Sequence, residues 1–294
     1  MRSTIPAFNY YAPKSLKEAL SLLATLDRAY PYAGGTDFLP ACRVKGFKPI
    51  NVVTFKNIAG QLSYIREQKG WIHVGAMTTM KSIAHSVLIS AKAENLAEAA
   101  SHVGAVQIRN KGTIGGNLCN ASPAADTAPP LLTLDASVEA AGGAGLRSIA
   151  LVDFFLGPGR TALKKGEVLK EVRFKAGKGY GSFRKLGRRQ GEDISVASAA
   201  VRFRAHGDVL KDVRVALGSV APVPMRAYRT EQLLEGDRAD EDAFEKAALE
   251  AMQECKPITD VRSSEDYRRR MIRVLVRECL DEAKSRMEAE RPRR

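Results

Sequence analysis

Two pairs of adjacent glycines restrict the fold more than any other feature of this chain: Gly34-Gly35 in "YAGGTDFLP" and Gly115-Gly116 in "TIGGNLCNASPAADTAPPLL". Glycine loses more backbone freedom on folding than any other residue, so a pair beside apolar segments marks a place where the backbone must approach something closely. Ala33, Thr36, Asp37 and Phe38 surround the first pair; Thr113, Ile114 and Asn117 surround the second. Consecutive amides with no Cβ in the way form a concavity suited to an anion such as a pyrophosphate. Thr36 and Thr113 can add hydroxyl donors and Asn117 an amide. Asp126, at the end of the small-residue run, can accept from ribose hydroxyls. Taken singly, each loop reads better as a tight turn. Taken together, they leave a diphosphate ligand and a simple backbone contact as equal alternatives.

The remaining segments place these loops in an α+β chain. "SLKEALSLLATL" carries Leu16, Ala19, Leu20, Leu22 and Leu23 on one side, with Ser15 as N-cap, and predicts a first helix. "AYPY" and "PINVVTF" read as short strands, and "LSYIREQKGWIHVGAM" as a hairpin turning at Lys69-Gly70. Two helices are expected between Thr79 and Val103, broken near Ser90, followed by a hairpin turning at Gly142-Gly143. From about Lys175 three antiparallel strands follow, with a turn at His206-Gly207-Asp208, and then helices starting near Arg226, Asp240 and Ser264. Short strands mixed with helices, without regular βαβ alternation, argue for α+β.

The formal net charge is +13, from 46 basic and 33 acidic residues. The densest basic stretch is the C-terminal "YRRRMIRVLVRECLDEAKSRMEAERPRR", where Tyr267, Met271, Val274, Leu275, Leu280, Ala283 and Met287 fall near helical spacing. Its arginines are therefore expected on an outer helix face. No nucleic-acid signature accompanies them, and an acidic protein partner is the better expectation. The four cysteines (Cys42, Cys119, Cys255 and Cys279) lie far apart without a CxxC pair, which predicts reduced thiols and no metal site. Neither a signal-peptide core nor a long apolar run is present, so the expectation is a cytoplasmic protein with no membrane span. "GPGRTA" at 157–162 imitates a dinucleotide fingerprint, but Pro158 removes a donor and no helix follows; "GAGLRS" sits in a hairpin. Both read as turns.

The ordered segments "YYAPKSLKEALSLL", "YAGGTDFLP", "VGAVQIRNKGTIGGNLCNASPAADTAPPLL", "LVDFFLGPGRTALKKGEVLKEVRF" and "FRKLGRRQGEDISVASAAV" carry a specific resemblance. To about Cys279 the chain resembles the FAD-binding medium subunit of the molybdenum hydroxylases. That family includes the flavin subunit of aerobic carbon monoxide dehydrogenase and the flavin domain of xanthine dehydrogenase. The resemblance implies a vanillyl-alcohol-oxidase-like FAD-binding fold over 1–174, in two α/β subdomains of about 1–55 and 56–174. A C-terminal domain of three antiparallel strands with helices is expected over 175–285, and a basic tail over 286–294.

It also implies site residues. Ala33, Gly34, Gly35, Thr36, Asp37 and Phe38 match the first loop along the FAD pyrophosphate; Thr113, Ile114, Gly115, Gly116 and Asn117 match the second. Asp126 matches an acid near the ribose and diphosphate, and Leu169 an apolar residue near the adenine or flavin. Lys185 matches a base near the isoalloxazine, where a cation would stabilise negative charge on reduction; a solvated strand charge is the plainer reading. Glu192 sits where some nicotinamide-using relatives carry an acid. The implied partners are a large subunit with a molybdopterin cofactor and a small subunit with two [2Fe–2S] clusters. Electrons would pass from those clusters through FAD to an external acceptor, in a dimer of heterotrimers. The cysteine-rich insertion of some relatives is missing, since Cys119 runs into "NASPAAD" and the next cysteine is Cys255. Two other classes remain: an independent flavin-dependent oxidoreductase of the same superfold, and a basic protein that binds nucleic acid or an acidic partner.

Overall fold

The computed structural model describes residues 5–44, 46–189 and 193–290. The chain opens with β1 (Asn9–Tyr11), α1 (Leu16–Thr25), β2 (Ala29–Tyr32), α2 (Phe38–Val44) and β3 (Asn51–Thr54). The three strands form a parallel sheet in the order β1-β3-β2. Ser15 caps α1 by accepting from the Glu18 amide, as its position predicts. Ala19 and Leu23 pack with Val53 and Phe55, so one helix face and the central strand share a small core.

After α3 (Ala59–Leu62), the strands β4 (Ile65–Gln68) and β5 (Trp71–Gly75) form the expected hairpin, with Lys69 and Gly70 both at positive φ. Next come α4 (Met80–Ala84), α5 (Val87–Lys92), α6 (Glu94–Ser101), α7 (Val106–Arg109), α8 (Ile114–Cys119) and α9 (Ala128–Thr133). The two helices expected over Thr79–Val103 are therefore three, and Ser90 lies inside α5. The chain breaks where the Ser86 side chain caps α5 and where Ala93 leaves helical backbone at φ −155°. Then follow β6 (Ser137–Gly142), β7 (Gly145–Ala150), β8 (Phe155–Gly157), β9 (Arg160–Thr161) and β10 (Val168–Lys175). A five-stranded antiparallel sheet runs β4-β5-β10-β6-β7. One of its faces, with Ile72, Val74, Val138, Val172 and Phe174, packs on Leu96, Leu118 and Leu131 in the main core. "GPGRTA" is part of the β8–β9 hairpin, a turn as expected.

The C-terminal part holds β11 (Tyr180–Leu186), β12 (Ala197–His206), β13 (Val209–Gly218) and β14 (Met225–Arg226), then α10 (Tyr228–Leu234), α11 (Glu241–Glu254) and α12 (Glu265–Ala289). Its sheet has four strands rather than three, because β14 adds two residues along β13. A two-residue strand has no periodicity to read. Helix α12 turns Ile272, Leu275, Val276, Cys279, Leu280, Ala283 and Met287 inward. Tyr267 and Val274, expected on that face, are 46% and 43% exposed. The inward arginine is Arg268, whose buried guanidinium donates to the Val196 and Ser219 carbonyls and pairs with Asp260. Because α12 continues to Ala289, Arg286 and Met287 belong to a packed helix rather than a tail; residues 291–294 lie outside the described residues. No described helix is long and apolar enough to cross a membrane.

The two halves join along β11. Its outer edge would leave amides unpaired, and α6 covers them: Glu94 accepts from the Gly181 amide and Glu98 from the Phe183 amide at 2.8 Å. Glu98 also pairs with Arg286. Burial pushes the Glu94 carboxyl up, against the amide hydrogen bonds that favour its charge. Glu98→Ala should lower unfolding stability by about 2 kcal/mol, since charged hydrogen bonds of this kind contribute roughly 1.5–3 kcal/mol. Urea unfolding checks this, and an unchanged midpoint would contradict it.

Candidate cofactor-binding site

A cavity of about 790 Å³ opens between the first sheet, the helices α7 and α8, and the start of β10. Such a volume is typical of cofactor pockets, which run to roughly 300–1,000 Å³. It is lined by residues 33–38, by Thr113, Gly115, Gly116 and Asn117, and by Asp126 and Leu169. The loops singled out in the sequence thus meet at one site. Ile114 and Lys185 do not line it: Ile114 is fully buried in the main core. Tyr30, Met80, Cys119, Glu167, Asp193 and Ile194 also line the cavity. They carry no local signal, since separate elements bring them in.

The four glycines differ in what they do. A Cβ on Gly34 would overlap the Lys111 carbonyl, so this glycine lets the first loop touch the second. Gly35 has φ +73°, and a Cβ there would strike the Tyr32 ring. At Gly115 a Cβ would come within 2.7 Å of the Ala76 side chain, so that glycine seats α8 on the end of β5. Gly116 is the least crowded: a Cβ there would meet just the Thr113 hydroxyl, at 3.1 Å, which would have to give by a few tenths of an ångström.

The amides differ as well. In the second loop, Ile114 donates to the Thr78 carbonyl, Gly115 to Ala76, Gly116 to the Thr113 hydroxyl and Asn117 to the Thr113 carbonyl. The exposed amide row expected there is therefore committed within the chain, and Thr113 serves as the helix N-cap. In the first loop the amides of Gly34, Gly35 and Thr36 have no intrachain acceptor among the described residues. That loop therefore presents three open amides, the arrangement suited to an anion. The second adds the Asn117 side chain, whose Oδ1 accepts from Thr127 at 2.6 Å and leaves Nδ2 as a donor.

Asp126 and Lys185 are partners. Lys185 Nζ donates to Asp126 Oδ2 at 2.7 Å, to the His102 carbonyl at 2.8 Å and to the Asp193 carbonyl at 3.2 Å. All three ammonium protons are thus placed. Ser195 Oγ donates to the other Asp126 oxygen. Burial pushes the Asp126 carboxyl up, while Lys185 and Ser195 pull it back. Lys185 therefore reaches the cavity only through Asp126 and Asp193, which line it. Burial also raises the Cys119 thiol to about 12, which keeps it protonated and unreactive. Glu167 is held down to about 2 by the two-pronged contact of Arg147. Glu192 lies outside the described residues.

Residues 6–174 match the family described as the FAD binding domain in molybdopterin dehydrogenase, and residues 182–283 match the CO dehydrogenase flavoprotein C-terminal domain. The chain belongs to the FAD-binding medium subunits of the molybdenum hydroxylases. It is 34% identical over 282 residues to the carbon monoxide dehydrogenase medium chain of Hydrogenophaga pseudoflava, covering 95% of this chain and 97% of that one. It is 31% identical over 278 residues to the glyceraldehyde dehydrogenase medium chain of Sulfolobus acidocaldarius, covering 94% and 98%. Among solved structures, a chain of the Hydrogenophaga pseudoflava carbon monoxide dehydrogenase superposes with a TM-score of 0.93 at 33% identity, covering 96% of this chain and 99% of that one.

The residues present fit FAD: three open amides suit its diphosphate, and apolar walls such as Met80 and Leu169 suit its rings. Gly116→Val should then cut bound FAD about tenfold or more, equivalent to about 1.4 kcal/mol of affinity. Its fold should hold to within about 2 kcal/mol, since valine suits a helix no worse than glycine and disturbing the Thr113 cap costs roughly 0.5–2 kcal/mol. Gly34→Ala should instead damage the fold itself. Flavin absorbance and urea unfolding separate the two, and a normal FAD content in Gly116→Val would overturn the assignment of this wall.

Proposed function

We propose that this chain is the FAD-carrying electron-transfer subunit of a three-subunit molybdenum hydroxylase. In this reading the first-loop amides of residues 34–36 bind the diphosphate, Asn117 Nδ2 adds a donor, and Leu169 and Met80 keep water from the rings. Bound FAD supplies the capacity to accept electrons singly and pass them on singly or in pairs. Lys185 neutralises Asp126, so that the wall beside the cofactor carries an ion pair rather than a lone carboxylate opposing reduction. A small subunit with two [2Fe–2S] clusters would deliver the electrons, a large subunit with a molybdopterin cofactor would oxidise the substrate, and an external acceptor would receive them. A dimer of heterotrimers is the assembly proposed.

The observation that carries this reading is the open amide row of residues 34–36 in a cavity of flavin-nucleotide size, within a chain similar to medium subunits over nearly its whole length. Among the described residues no three His, Cys, Asp or Glu groups converge as a metal-ligand set, and all four cysteines are free thiols. The clusters in this reading therefore belong to a partner chain. Purification of the tagged chain from its own host tests the reading. FAD should co-elute with iron, molybdenum and two further subunits. FAD-loaded chain that runs alone and turns over a substrate unaided would establish an independent flavoenzyme instead.

A further inference from the structure

The five-stranded sheet has a second face that no described element covers at its β4-β5-β10 end. The strand register places residues on it in rows. Arg66 of β4, His73 of β5 and Arg173 of β10 lie side by side, with Ser137 of β6 beyond them; Gln68, Trp71 and Lys175 form the next row. The opposite face carries the core residues Ile72, Val74, Val172 and Phe174. The open face is also aromatic. The Arg66 guanidinium sits 4.5 Å from the Tyr64 ring centre, while Arg173 and Lys175 sit 5.8 and 5.9 Å from that of Trp71, the chain's one tryptophan.

Charge balance makes this face unusual. Glu171, the nearest buried carboxylate, is taken up by the Tyr64 hydroxyl at 2.6 Å and by His73 Nδ1 at 2.8 Å. Glu139 is paired with Lys170. Arg66, Arg173 and Lys175 form no ion pair among the described residues. With strands about 4.8 Å apart, Arg66 and Arg173 flank His73 across roughly 10 Å. An acidic surface laid on the face would offer each of these unpaired cations a partner, and Trp71 would add a large apolar contact beside them.

We propose that this face, centred on Trp71 with Arg66, Arg173 and Lys175, docks an acidic face of another subunit of the assembly. The inference rests on the multisubunit reading above. A second copy of the chain fits poorly, because a two-fold interface would set the same cations against each other. The net charge of +13 also draws the chain toward an acidic partner before contact.

Amine acylation of Lys175, followed by mass spectrometry, tests the proposal on the unaltered protein. Lys175 is exposed in the single chain, so it should react readily there and several-fold less in the purified complex. The triple variant Arg66→Glu, Arg173→Glu, Lys175→Glu should keep its FAD and melting temperature yet lose co-elution with another subunit. Equal labelling of Lys175 in chain and complex would overturn the proposal while leaving the multisubunit reading intact. A wild-type chain that co-elutes with no other subunit would overturn both. Salt-dependent DNA binding, or self-association, that the triple variant abolishes would assign the face to a different occupant and overturn it as well.

Discussion

The Gly34 backbone lies against the carbonyl of Lys111, and the cavity exists because these two loops can touch. One loop leaves the small parallel sheet and the other leads into α8 from the helical layer of the larger sheet. A side chain at Gly34 would hold them apart. The contact closes one wall, and the positive φ of Gly35 turns the Thr36 amide away from its own chain. The open amides are therefore a by-product of packing: the loop conformation that permits contact offers them no internal acceptor.

A second constraint comes from the C-terminal part. Lys185 and Ser195 lie on either side of the segment that enters β12, and both bond Asp126 at the cavity wall. On the far side, Glu94 and Glu98 of α6 close the edge of β11. The C-terminal domain thus positions a charged pair beside the cavity as well as packing against it. Breaking either joint would loosen a wall whose polar groups are buried and exactingly partnered, which is costly at low dielectric.

Much of this was legible in the sequence where the cause is local. Ser15, Asp240 and Ser264 cap helices because each hydroxyl or carboxylate needs only the amide three residues on. The paired glycines marked the cavity because at Gly34, Gly35 and Gly115 only glycine permits the close contacts found there. What stayed hidden depends on distant partners. Nothing near Ile114–Cys119 shows that its first amides are satisfied by Ala76 and Thr78, so the second loop looked like a cradle equal to the first. Lys185 looked like a free cation because Asp126, His102 and Asp193 reach it only in the fold. Val274 looked buried because helical spacing alone cannot show that α12 places Ile272, Val276 and Cys279 inward instead.

The central claim is that the first loop recognises a diphosphate. A fluorescence titration of the flavin-free chain with FAD and with FMN addresses it most directly, since FMN carries the same ring system without the diphosphate bridge. The account predicts one FAD per chain, bound at least about a hundredfold more tightly than FMN, a difference of some 2.7 kcal/mol. Equal affinity for the two would contradict it and place recognition in the flavin ring alone.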